Sequence, residues 1–234
     1  MSKPIIALDF SSRKAVEDFL ERFENEELFV KIGMELYYQE GPSIVSFVKS
    51  KGHKIFLDLK LHDIPNTVEN AMRGIAKLGV DMVNVHAAGG TQMIQAAKRG
   101  LIAGTSEGNT VPQLIAVTQL TSTTDESMKV EQLIPVSLIE SVIHYAKIAY
   151  SAGADGVVCS ALEVEALNTV LPKEFLKVTP GIRPISSDVN DQKRVTTPSL
   201  AKSYGSTHIV VGRPITQAND PKAAYDAIVK EWEM

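Results

Sequence analysis

Short apolar runs alternate with stretches of helical period along the whole chain. The runs Pro4–Leu8, Leu28–Ile32, Lys54–Leu59, Met82–His86, Gln113–Thr118, Gly156–Ser160, Leu176–Thr179 and His208–Val211 read as buried strands. Apolar residues recur at helical spacing near Ser12–Phe23, Glu35–Ser50, Thr67–Leu78, Gly90–Leu101, Pro135–Ser151, Ala161–Val170, Pro198–Tyr204 and Pro221–Trp232. Asp220-Pro221 predicts a cap followed by proline at the first helical position. Strands alternating with helices predict a parallel sheet. Eight such units in 234 residues, close to the roughly 250 of an eight-fold barrel, predict an α/β chain closed into a (β/α)8 TIM barrel, with residues 1–234 as a single domain. An open doubly wound sheet is the alternative. It calls for a glycine-rich turn after the first strand, and Asp9-Phe-Ser-Ser12 is not one. Two connections, Leu120–Ile134 and Arg183–Thr197, exceed what a barrel needs and read as lids, with plain solvated surface loops as the other reading.

Composition narrows the class. With 44% hydrophobic and 22% charged residues the chain can bury a large core. A net charge of −4 offers no basic field for nucleic acid and no polybasic membrane signal, so an anionic ligand needs a local positive site. The lone cysteine, Cys159 in Gly156-Val-Val-Cys159, fits a reducing compartment and reads as a buried strand thiol. The run Ile5–Leu8 before Asp9 is too short for a signal segment or a membrane span, so a cytoplasmic enzyme is expected.

One stretch breaks the apolar rule. Lys54-Ile-Phe-Leu-Asp-Leu-Lys-Leu-His-Asp-Ile-Pro-Asn-Thr67 begins as a buried strand and then carries Asp58, Lys60 and Asp63. Strand alternation turns Asp58 and Lys60 to one face and Leu57 and Leu59 to the other. Pro65 ends the strand, and Asn66 or Thr67 is the expected cap of the next helix. Strand 1 ends at Asp9 and strand 2 carries Lys31, so three neighbouring strands deliver alternating charges to the C-terminal mouth, where such barrels place their chemistry. Buried charge is costly unless it is paired. The cluster therefore reads as catalytic, with a structural ion-pair network as the other reading.

These residues carry a resemblance. Asp58-Leu-Lys60-Leu-His-Asp63 fits the D-x-K-x-x-D signature of the orotidine 5′-phosphate decarboxylases, and Phe56–Thr67 resembles the bacterial form. Further matching blocks are Ala7-Leu-Asp9, Val30-Lys-Ile-Gly33, Val85–Gly90, Thr118–Ser122, Thr179–Arg183, Asp191–Arg194 and Val211-Gly-Arg213. The resemblance implies loss of CO₂ from C6 of orotidine 5′-monophosphate to give uridine 5′-monophosphate, with no cofactor. The electrons left at C6 lie in the ring plane and no π system shares them, so a fixed external charge must stabilise them. Lys60 is the residue that can both face that charge and protonate it. Asp58 is expected to hold Lys60 and to lie near the substrate carboxylate. The resemblance also places Asp9 and Lys31 on the ribose hydroxyls, with Lys31 part of the charge network. It sends Asp63 and Thr67 across a homodimer interface into a partner's site.

Barrels commonly bind phosphate with the loops after strands 7 and 8. Arg183, Gln192, Gly212 and Arg213 fall there and match the family's phosphate side. Thr121 and Ser122, at the end of strand 5, are candidates for reading the pyrimidine. His86 reads as a hydrogen-bonded structural histidine, and His62 receives no role. Asp9, Asp58 and Asp63 are types that bind Mg²⁺, but Lys31 and Lys60 compete with a cation among them, so no metal is expected. The alternative is a Mg²⁺-dependent sugar-phosphate lyase of the same barrel group. Those relatives carry an acid where this chain has Lys31. A phosphate-ligand binder without turnover is a third reading, against which Lys60 speaks.

Overall fold

In a computed structural model, which describes residues 2–24, 26–184 and 195–234, eight parallel strands close on themselves in sequence order. They are β1 (Ile5–Ala7), β2 (Phe29–Gly33), β3 (Lys54–Leu61), β4 (Met82–His86), β5 (Gln113–Val117), β6 (Gly156–Val158), β7 (Leu176–Thr179) and β8 (His208–Val211). β1 pairs with both β2 and β8, which closes the barrel. Each strand alternates between two cores. Ile5, Ala7, Phe29, Phe56, Met82, Ile115, Val178 and Val210 fill the barrel interior. The intervening Ile6, Val30, Ile32, Ile55, Leu57, Val83 and Val85 pack outward as part of the larger core. Side chains on both faces are buried, which is why these strands read as continuous apolar runs.

The surrounding helices are α1 (Arg13–Leu20), α2 (Met34–Glu40), α3 (Pro42–Ser50), α4 (Pro65–Ala76), α5 (Gly90–Gly104), α6 (Asp125–Glu131), α7 (Leu138–Ser151), α8 (Val164–Asn168), α9 (Pro198–Ser203), α10 (Arg213–Thr216) and α11 (Pro221–Glu233). Several differ from expectation for identifiable reasons. The helix expected over Glu35–Ser50 is two, because Gly41 takes φ +64 and Pro42 starts the second with no N–H to continue the first. α4 begins at Pro65, so neither Asn66 nor Thr67 caps it; Ile64 stands at the cap without a side-chain bond. α7 starts at Leu138, where Ser137 and Glu140 form a reciprocal cap. The long connection after β5 contains α6, capped by Thr124. The Asp220 cap is as expected, accepting from the Ala223 N–H with Pro221 at the first position.

α4 and α5 pack closely. A Cβ at Gly100 or Gly104 would collide with the backbone carbonyl of Glu69 or Arg73, so glycine is what lets the two helices approach. The indole N–H of Trp232 in α11 donates to the Ser2 carbonyl at 2.9 Å, tying the end of the chain to its start. Cys159 is fully buried just beyond β6. Among the described residues no helix is long and apolar enough to cross a membrane.

Candidate active site

The inward-facing positions of β2 and β3 are apolar low in the barrel and charged at its mouth. On β2, Phe29 gives way to Lys31; on β3, Phe56 gives way to Asp58. Asp9 follows β1 above Ala7. The result is an alternating chain of charges. Lys31 Nζ lies 3.1 Å from Asp9 Oδ1 and 3.4 Å from Asp58 Oδ2, and Lys60 Nζ lies 2.7 Å from Asp58 Oδ1. Gly33 keeps this space open, since a Cβ there would sit 3.2 Å from the Lys31 ammonium.

Burial and pairing compete at each charge. Burial alone would push the Asp58 carboxyl up; Lys31 and Lys60, with hydrogen bonds from Lys60 and Asn84, outweigh it and hold the group below the usual carboxylate value. Burial would likewise lower the Lys31 ammonium, but Asp58 and Asp9 outweigh it and raise it. Both groups are thereby kept ionised in a place that would otherwise neutralise them. The Lys60 side chain remains one quarter exposed, while Asp58 is only 11% exposed.

The backbone at Lys60 is unusual. Its φ is +53, a conformation that costs a non-glycine residue on the order of 1 kcal/mol or more. The pairing of β3 with β4 shifts at this point. Leu57 faces Val83 and Leu61 faces Val85, so four steps on β3 oppose two on β4. The extra residues pucker out of the ladder. Asn84 fills the gap with its side chain. Its Oδ1 accepts the Lys60 backbone N–H at 2.8 Å, and its Nδ2 donates to Asp58 Oδ1 at 2.6 Å. Sequence reasoning missed Asn84. The signal was available, as one amide in the otherwise apolar run Met82-Val-Asn-Val-His86.

Above the inner core opens a cavity of about 500 Å³, within the size range of small-molecule sites. Asp9, Lys31, Asp58 and Lys60 line one side. Arg183, Gly212 and Arg213 line it as well, as does Thr121, beyond the end of β5. Ser122 is exposed and does not line it. Gln119 and Gln217 line it as well, though neither was expected. The Gln119 amide donates to Ser141 at 3.1 Å and to Gln132 at 3.2 Å, anchoring the segment after β5. The base of the connection after β7 is stapled by backbone bonds: Arg183 N–H to the Thr196 carbonyl at 2.9 Å and Thr196 N–H to the Gly181 carbonyl at 3.2 Å. Gln192 lies outside the described residues, as does most of the lid expected there.

Two expected site residues are not brought into this cavity. Asp63 and Thr67 are exposed and line a separate recess of about 300 Å³, shared with Tyr38 and His62 and backed by Lys60. The Asp63 carboxylate accepts the Ile64 N–H at 2.6 Å. The strand ends at Leu61, so the chain has already turned outward when Asp63 is reached. His86, expected in a hydrogen bond, has none among the described residues. Its ring instead stands 5.8 Å from that of His62, and burial, with His62 and Lys60 adding to it, lowers its pKa. A larger groove of about 820 Å³ lies at the opposite end of the barrel, lined by residues that precede or start strands, such as Lys3, Lys54, Gln113 and His208. It holds none of the candidate residues, and barrels of this kind do their chemistry at the other end.

Comparison with known proteins places the chain in a family. The model of the orotidine 5′-phosphate decarboxylase / HUMPS family matches residues 2–228. The chain belongs to that family. A protein of Enterococcus faecalis named orotidine 5′-phosphate decarboxylase is 62% identical over 231 residues, 98% of each chain. One of Lactococcus lactis subsp. cremoris with the same name is 61% identical over 232 residues, 99% of this chain and 98% of its own. The crystal structure of orotidine 5′-phosphate decarboxylase from Lactobacillus acidophilus superposes with a TM-score of 0.91 at 48% identity, covering 100% of both chains. The matched residues include the stretch that carries Asp58, Lys60 and Asp63.

Proposed function

We propose that this chain is a carboxy-lyase that converts orotidine 5′-monophosphate to uridine 5′-monophosphate, the last step in making that nucleotide, and that it does so without a metal. The relatives at about 60% identity carry that name over nearly their whole length. The observation that carries the chemistry is the unbroken alternation Asp9, Lys31, Asp58, Lys60 at one wall of the cavity. Lys31 sits between the two carboxylates, where a divalent cation would have to compete with a fixed ammonium.

In this reading the pyrimidine lies over Lys60 and Thr121. Asp9 and Lys31 take the ribose hydroxyls. Arg183, Gly212 and Arg213, with Gln192, take the phosphate. As the C6–CO₂ bond breaks, its electron pair stays on C6 and CO₂ leaves. The Lys60 ammonium faces the developing charge and then gives C6 its proton. A charge already in place needs no reorganisation at the moment of reaction, which is the usual source of the largest catalytic term. Asp58 holds that ammonium at 2.7 Å. Its own negative charge near the substrate carboxylate disfavours the ground state as well. Phosphate contacts remote from C6 close the site, so part of their binding energy appears as rate.

The proposal extends to assembly. Asp63 and Thr67 face outward beside Lys60 and outside their own cavity, a placement that suits completion of a second copy's site in a homodimer. Residues 1–234 then act as one catalytic domain, in the cytoplasm.

The test is orotidine 5′-monophosphate with purified protein in excess EDTA. Loss of the orotate absorbance with uridine 5′-monophosphate as product is expected. Activity abolished by EDTA and restored by Mg²⁺ would favour the sugar-phosphate lyase chemistry instead.

A further inference from the structure

We infer that Asn84 is a positioning residue for Lys60, setting both the place and the partner of the ammonium. The inference rests on the proposed role of Lys60. Asn84 is 1% exposed and points into the barrel one layer above Met82. Its two polar ends meet two different parts of the same machinery. The Oδ1 holds the Lys60 backbone N–H where β3 has left the ladder, and the Nδ2 occupies the Asp58 oxygen that the Lys60 ammonium also uses. A backbone N–H needs an acceptor and a carboxylate needs a donor, so the amide is fixed in one orientation.

This arrangement does two things that no other residue in the barrel does among the described residues. It supports the left-handed backbone at Lys60, which carries the side chain back toward Asp58 rather than along the strand. It also donates to Asp58 Oδ1, the oxygen that Lys60 uses, and so holds the carboxylate in the orientation that meets Lys60 through Oδ1 and Lys31 through Oδ2. A shift of about 1 Å in a reacting group can cost about 100-fold in rate, so a device that fixes this geometry belongs to catalysis as much as to folding.

Two variants separate the roles. Asn84→Ala removes both bonds. Its kcat should fall about 100-fold while affinity for uridine 5′-monophosphate stays within about threefold. Asn84→Asp keeps the acceptor for the Lys60 N–H, loses the donor, and sets a second carboxylate against Asp58. The charged and titratable groups facing it are Asp58 and Lys60 from β3, Lys31 from β2 and His86 from β4, with His62 beyond. Two carboxylates in contact share a proton as pH falls, which restores a donor to Asp58. The kcat of Asn84→Asp should therefore recover toward the unsubstituted enzyme with falling pH, while that of Asn84→Ala stays low throughout.

An unchanged kcat in Asn84→Ala, beside an inactive Lys60→Ala, would overturn the positioning role and leave the Lys60 reading intact. Loss of fold, or loss of product binding and thermal stability in step with kcat in both variants, would overturn it too, since a structural residue behaves that way. Turnover retained by Lys60→Ala would overturn the reading of Lys60 and this one with it.

Discussion

Lys60→Ala loses at least about 10⁴-fold in turnover and still binds uridine 5′-monophosphate. The size follows from the two tasks assigned to one ammonium. A preorganised charge at a developing anion is worth about 10²–10³ in rate, and a positioned acid about 10²–10⁴. Both vanish with the same side chain. Binding survives because, in the proposed reading, the ribose and phosphate fall to other residues that line the cavity: Asp9 and Lys31 for the ribose, Arg183, Gly212 and Arg213 for the phosphate. Asp58 keeps Lys31 at 3.4 Å and Asn84 at 2.6 Å, so the remaining carboxylate is still paired and the barrel still folds. The check is kcat from the orotate absorbance together with product affinity by calorimetry. A variant retaining more than about one part in a hundred of the turnover would remove Lys60 from the proton-donor role.

Arg213→Ala acts on the same cavity through the proposed phosphate contact. Removing a forked cation from a phosphate costs about 1.5–3 kcal/mol, so kcat/KM for orotidine 5′-monophosphate should fall on the order of 10- to 100-fold. The bare nucleoside, which has no phosphate to hold, should react at its original rate. A Cβ at Gly212 would touch Ala7 and Asp9 at 3.5 Å, so the backbone after β8 passes close over the end of β1 and carries Arg213 to the cavity wall. Comparing nucleotide and nucleoside in wild type and variant gives the decisive ratio. Equal losses on both would place Arg213 in general stability rather than at the phosphate.

Much of this was legible because barrel and site share one periodicity. Residues two apart on a strand share a face, so Phe29 falls with Lys31, and Phe56 with Asp58, on the same interior. The change from apolar to charged along that face marks the mouth. The parts that were not legible depend on contacts between elements. The two-residue excess of β3 over β4 between Leu57 and Leu61 is a property of two strands. Neither strand's own pattern contains it. The left-handed Lys60 and the bond from Asn84 follow from that excess, so strand alternation gave the right face for Lys60 but not its backbone. Asp63 shares a signature with Asp58 and Lys60, and only the family resemblance separated it from them; the strand ends at Leu61 and the turn sends Asp63 outward from its own cavity. The break at Gly41-Pro42 was written in the residues, and the continuous apolar spacing on either side of it hid the break.

The central claim is that C6 takes its proton from an exchangeable ammonium once CO₂ has gone. The measurement that bears on it most directly is the reaction run in D₂O with product analysis by proton NMR. The Lys60 ammonium exchanges with solvent, so the account predicts uridine 5′-monophosphate carrying one deuterium at C6. Product with protium at C6, or deuterium entering C6 at an undiminished rate in Lys60→Ala, would contradict it.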